Sequence, residues 1–97
     1  MWKIRIHKLV VEEDLKKIPQ KDRSKIIKTI YKKLSFSPKD CGLPLKYQLK
    51  GFWKLRISDY RVVYRIEDKE ILVLVLKIGM RRDEKVYKEM ISRIKKI

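Results

Sequence analysis

Basic side chains recur at alternate positions through the middle of this 97-residue chain. Lys54 and Arg56 precede a Ser58-Asp59 pair, and Arg61 and Arg65 follow it. Alternating with them stand Trp53, Leu55, Ile57, Tyr60, Val62 and Tyr64. Side chains of a strand point alternately to its two faces, so this spacing collects the cations on one face and the apolar and aromatic groups on the other. Further along, Gly79-Met80 leads into Arg81-Arg82, and Tyr87 follows soon after. Guanidinium forks match phosphate oxygens, and a tyrosine ring offers a stacking surface to a base. Phosphate together with a splayed, unpaired base is the chemistry of single-stranded RNA recognition.

Strand register sharpens this. With Ser58-Asp59 as a two-residue turn, Ile57 lies opposite Tyr60, Leu55 opposite Val62 and Trp53 opposite Tyr64. These are favourable cross-strand pairs. The same register forces Arg56 directly opposite Arg61, with Lys54 and Arg65 on the same surface. Facing like charges cost stability, so a face that keeps them is shaped for an anion. A solvated face in a basic chain also carries charge, but it normally mixes signs. Residues 43–66 hold Lys46, Lys50, Lys54, Arg56, Arg61 and Arg65 against Asp59 alone. If the strand before Gly79 pairs with the one starting near Tyr60, Arg81 or Arg82 comes close to Arg61. The expected site is a shallow cleft of Lys54, Arg56, Arg61, Arg81 and Tyr87, with Lys46, Lys50, Arg65 and Arg82 as further RNA-binding cations.

The elements that must position these groups follow from periodicity. Residues 2–7 alternate Trp2, Ile4 and Ile6 with basic residues and predict a strand. Residues 10–18 predict a helix with Val11, Leu15 and Ile18 on one side. Pro19 separates it from a helix over 20–35, where Ile26, Ile27, Ile30, Tyr31 and Leu34 form the apolar stripe and Lys25, Lys28, Lys32 and Lys33 the wet side. These two make a helical hairpin on one face of a sheet. Residues 35–44, with Pro38, Gly42 and Pro44, read as a loop. Strands are expected at 46–50, 52–57, 60–66 and 71–78, with tight turns at Ser58-Asp59 and Asp68-Lys69. The run Ile71-Leu-Val-Leu-Val-Leu76 should be central and covered on both faces. Residues 83–96 predict a helix, acidic at its start and basic at its end, with Val86, Tyr87, Met90, Ile91 and Ile94 as its apolar side. The fold class is α+β, in the order β-α-α-β-β-β-α with the short 46–50 strand left out of the count, as one domain over residues 1–97 with a mostly antiparallel sheet.

Composition narrows the function. Lys and Arg number 27 against 12 Asp and Glu, a net charge of +15. That excess calls for an anionic partner. No stretch approaches the roughly 20 apolar residues of a membrane-spanning helix, and the first residues lack the apolar block of a secretory signal. Lone Cys41 fits a reducing cytoplasm. With one histidine, His7, no Cys/His metal set and no paired-histidine nuclease can form. Gly42, Gly51 and Gly79 make no phosphate loop. No metal or cofactor is expected. His7 reads as structural, Asp59 as a turn residue, and Cys41 has no histidine partner to make it a nucleophile.

The segments "DLKKIP", "KIIKTIYKKLSFSP", "LKGFWKLRISDYRVVYRI" and "LKIGMRRDEKVYKEM" resemble the RelE/ParE-type toxins of prokaryotic toxin–antitoxin systems, closest to the RelE branch. "WKLRISDYRVVY" is the most specific part of this resemblance, which covers nearly the whole chain. It implies a RelE-like fold and a ribosome-dependent endoribonuclease, an mRNA interferase. Such an enzyme enters the ribosomal A site and cuts mRNA by metal-independent attack of the ribose 2′-hydroxyl on the neighbouring phosphate, stopping translation. The family's catalytic positions fall on Lys54, Arg56, Arg61, Arg81 and Tyr87. Arginine stays charged and is a poor base, which makes Lys54 the better candidate for general base. Arg61 and Arg81 would hold the scissile phosphate and its developing charge, and Tyr87 would stack on the base or assist proton transfer. The implied partners are the ribosome with its A-site mRNA and a cognate antitoxin, partly disordered and acidic where it binds. Met80 stands where many relatives carry a basic residue, and Arg81 and Arg82 can exchange roles. Two alternatives share the fold: a ParE-like inhibitor of DNA gyrase, and a degenerate member that binds RNA or antitoxin without cutting.

Overall fold

A computed structural model describes residues 1–80 and 84–97. Arg81, Arg82 and the predicted helix start at Asp83 lie outside the described residues. Five strands, β1 (Lys3–Ile6), β2 (Leu43–Pro44), β3 (Trp53–Ile57), β4 (Tyr60–Glu67) and β5 (Leu72–Met80), form one sheet in the order β1-β5-β4-β3-β2. β1 runs parallel to β5, and the other neighbours are antiparallel. The long helix α1 (Gln20–Leu34) and a single turn, α2 (Pro38–Cys41), precede β2, and α3 (Lys85–Arg93) follows β5.

Both faces of the sheet are covered. On one, Val10, Ile18, Ile26, Ile30 and Leu34 pack against Leu55, Ile57, Tyr60, Val62, Tyr64, Val73, Val75 and Ile78. On the other, Val86 and Met90 of α3 pack against Val63, Leu76, Leu49 and Phe52. β5 lies between β1 and β4 with buried residues on both sides, as its unbroken apolar run requires. Gly79 lets α3 come close, since a β-carbon there would stand 3.0 Å from the Val86 side chain.

The β3–β4 register is the expected one: Ile57 opposite Tyr60, Arg56 opposite Arg61, Leu55 opposite Val62 and Trp53 opposite Tyr64. Ser58 takes the left-handed conformation that a two-residue turn demands, at φ 51° without glycine. Trp53 and Tyr64 stack with ring centroids 6.4 Å apart.

Five local expectations are corrected. Residues 46–50 do not form a strand. They hold a 3-10 turn at Tyr47–Leu49, because Leu45 and Leu49, four apart, both turn into the α3 core. The strand in this region is instead Leu43–Pro44, inside the stretch expected to be loop. Residues 10–18 form a π-type turn, Val10–Asp14, running into a 3-10 turn, Leu15–Lys17. The altered pitch buries Val10, Asp14 and Ile18 and leaves Val11 exposed. Tyr31 is likewise on the wet side of α1 rather than in its stripe. The β4–β5 link is wider than a two-residue turn. A 3-10 turn at Asp68–Glu70 ends on left-handed Ile71 at φ 51°.

Candidate functional site

Lys54 and Arg56 project from β3, Arg61 from β4 and Tyr87 from the first turns of α3, all on the sheet face that α3 covers. The Tyr87 ring is the hub. The Arg61 guanidinium carbon lies 4.9 Å from its centroid and the Lys54 Nζ 5.9 Å, both within cation–π range. Arg56 faces Arg61 across the ladder and is exposed. Arg61 is mostly covered and reaches Glu84 at 3.5 Å. That contact is long, and Glu84 is largely solvated, so Arg61 keeps most of its charge for a ligand. Neither Lys54 nor Arg56 has an acidic partner among the described residues.

The Tyr87 hydroxyl is buried without a hydrogen-bond partner among the described residues. Burial pushes its pKa up, while the Arg61 cation beside it pulls the other way. The phenol therefore stays protonated at neutral pH and can donate but not accept a proton. Two cations at a neutral aromatic ring, with Arg56 beside them on the same sheet face, can hold a phosphodiester and cover one base.

The other predicted cations divide. Arg65 lies on the same sheet face but is paired with Glu67 at 2.7 Å. Lys46 and Lys50 flank the 3-10 turn instead of extending the cationic face, because the strand expected to carry them is absent. His7 accepts a hydrogen bond from the Leu9 amide through Nδ1 at 3.1 Å, a structural use.

Sequence reasoning missed the device that fixes α3. The Asp14 carboxylate is buried and accepts from Arg93 through both guanidinium nitrogens at 2.8 Å, from the Ile78 amide at 2.9 Å and from Lys77 Nζ at 3.1 Å. Arg93 also donates to the Leu76 carbonyl at 3.0 Å and to Glu13 at 3.2 Å, and Lys77 reaches Glu89 at 3.2 Å. Burial alone would lower the Arg93 pKa, but Asp14 and Glu13 more than offset this and raise it. The signal was present in spacing. Arg93 continues the buried Val86–Met90 side of its helix, and Asp14 stands four residues after Val10 and four before Ile18.

Comparison with known proteins agrees with this fold. Residues 4–85 match the family described as "ParE toxin of type II toxin-antitoxin system, parDE". Toxin RelG of Mycobacterium tuberculosis is 33% identical over 70 residues, covering 72% of this chain and 80% of that protein. The mRNA interferase toxin RelE of Escherichia coli is 40% identical over 53 residues, 55% of this chain and 52% of its own length. Among solved structures, the toxin–antitoxin complex RelBE2 of M. tuberculosis superposes with TM-score 0.78 at 29% identity, covering 84% of this chain and 93% of the matched one. The isolated E. coli RelE toxin shares the fold at TM-score 0.68 and 21% identity, covering 97% and 99%. The chain thus belongs to the RelE/ParE superfamily of toxins of type II toxin–antitoxin systems.

Proposed function

We propose that this chain is a ribosome-dependent endoribonuclease that cuts mRNA in the ribosomal A site. The observation that carries the reading is the convergence of Lys54 and Arg61 on Tyr87, with Arg56 set opposite Arg61 and, among the described residues, only a long contact to Glu84 to offset their charge. Attack of a ribose 2′-hydroxyl on the adjacent phosphate forms a 2′,3′-cyclic phosphate and breaks the bond to the 5′-oxygen, which leaves and is protonated to a 5′-hydroxyl. The phosphorane-like transition state between them carries more negative charge than the ground state. Fixed cations stabilise that state preferentially. Arginine cannot serve as base and Tyr87 is held protonated. The base must be an uncharged amine, and Lys54 is the residue able to supply one for the 2′-hydroxyl proton, becoming a cation as the proton transfers. Arg61 holds the phosphate, joined by Arg81. Arg56 adds to the field, and Tyr87 stacks on the base. The name mRNA interferase carried by the E. coli relative supports the same activity.

A cognate antitoxin is the expected partner, since the M. tuberculosis neighbour was solved as a toxin–antitoxin complex. Its toxin-binding segment should be acidic, to neutralise this face, and should cover the cleft or displace α3. A second reading, a ParE-like inhibitor of DNA gyrase, draws on the family match over residues 4–85.

The test is to add purified protein to ribosomes stalled on a defined mRNA, map new RNA 5′ ends, and assay gyrase supercoiling in parallel. Cuts within the A-site codon support the ribonuclease. Uncut mRNA with inhibited gyrase would establish the second reading in its place.

A further inference from the structure

The cationic face does not stop at Tyr87. It continues around the open edge of β3 into a groove of about 640 Å³. β2 is only two residues long and pairs with Trp53 and Lys54, so the outer edge of β3 beyond Lys54 has no strand beside it. The groove occupies that edge. One end is formed by Lys54, Arg56 and Arg61 of the site, and the other reaches Lys33 in the last turn of α1. Gly42 and Leu43 form part of the wall between them.

Three features point to a ligand. Among the described residues, four lining side chains are cationic and none is acidic. Lys33, Lys54 and Arg56 have no ion-pair partner among the described residues. The wall is also fixed. The Tyr64 hydroxyl donates to the Pro38 carbonyl at 2.7 Å, anchoring α2 to the sheet. Gly42 sits so close that a β-carbon there would collide with the Tyr64 hydroxyl and come within 2.6 Å of the Lys54 carbonyl. Leu43 nevertheless stays 63% exposed, an apolar shelf beside the cations. Cations next to an apolar shelf, continuous with a phosphodiester site, suit a polyanion that carries flat apolar groups.

We infer that the RNA strand continues from the scissile phosphate through this groove, with the flanking phosphate on Lys33 and Arg56 and its base against Leu43. This rests on the ribonuclease reading above and adds Lys33 and Leu43 to it as substrate-binding residues. The groove makes binding depend on RNA length, because a dinucleotide fills the Tyr87 cluster but does not reach Lys33.

The test uses the full chain and uncleavable 2′-O-methyl oligoribonucleotides of two and six nucleotides, with binding followed by fluorescence anisotropy over a salt series. Lys33→Gln is exposed and should not disturb folding. It is expected to weaken the six-mer about threefold to tenfold and to flatten its log K against log salt by about 0.7. The dinucleotide should bind as before, and Lys28→Gln on the same helix should change neither. Unchanged six-mer binding by Lys33→Gln, equal weakening of both lengths, or a wild type that cuts on ribosomes yet binds neither oligonucleotide would each overturn the groove alone. A wild type that makes no cut on ribosomes would overturn the ribonuclease reading, and the groove with it.

Discussion

Two clusters of charge in this small protein are built on opposite terms. Around Asp14, the Lys77 and Arg93 cations are buried and donate to carboxylates and to the Leu76 carbonyl, while the Ile78 amide donates to Asp14 as well. Around Tyr87, Arg56 is set directly against Arg61 and, among the described residues, the cations meet little acid, with Glu84 touching Arg61 only at 3.5 Å. The first cluster has its counter-charge inside the fold and ties α3 to β5 and to the turn at Val10–Asp14. The second leaves its charge open to an outside anion. The clusters are linked, since α3 carries both Arg93 and Tyr87. The compensated network fixes the helix that completes the uncompensated site.

The largest expected effect comes from opening the compensated cluster. Asp14→Ala leaves Arg93 and Lys77 buried without their shared carboxylate and should cost about 3–5 kcal/mol of stability, read by urea denaturation. A cost near zero would show that the network does not hold α3. In the open cluster, Tyr87→Ala should weaken substrate binding by about 1–3 kcal/mol through lost stacking, seen as a raised KM on ribosomes, whereas Tyr87→Phe should keep most of it. A smaller effect of opposite sign should follow Arg56→Gln. Relief of the like-charge pair should raise stability by about 0.2–1 kcal/mol while cleavage slows. Arg56→Gln that loses stability would contradict the claim that this face is kept at a cost.

A neutral counterpart tests the logic through pH. Tyr60 donates to Asp22 at 2.7 Å, and that hydrogen bond, with burial and the nearby acidic charges, pushes its pKa up to about 12. The protonated phenol is therefore favoured by folding. The stability it contributes is complete below the unfolded value of about 10 and is lost as pH rises through about 12. Tyr60→Phe should flatten part of the stability decline between those limits, measured by denaturation at a series of alkaline pH values. Tyr64, whose pKa is also raised by burial, should keep some of that decline in the variant.

The sheet and the site were legible in the sequence to different depths. Strict alternation in residues 53–66 placed Arg56 opposite Arg61, because a two-residue turn leaves no freedom of register. Alternation misled at 46–50, where Leu45 and Leu49 follow a turn and Tyr47 adopts φ 56°. It also missed the π-type pitch that buries Asp14. The Asp14–Arg93 pair joins residues 79 positions apart; spacing marks each as facing the core, but nothing local marks one as the partner of the other. The edge groove was hidden for a related reason. It exists because β2 is short, and strand length at a sheet edge is set by tertiary packing more than by local pattern.

The most direct test of the central claim is the single-turnover rate of mRNA cleavage on stalled ribosomes by Arg61→Ala, with its melting temperature measured beside wild type. Arg61 belongs to the open cluster and, among the described residues, none of its contacts belong to the Asp14 network. The account predicts A-site cuts about 10²–10³-fold slower with little change in melting. Cleavage within about twofold of wild type would contradict it.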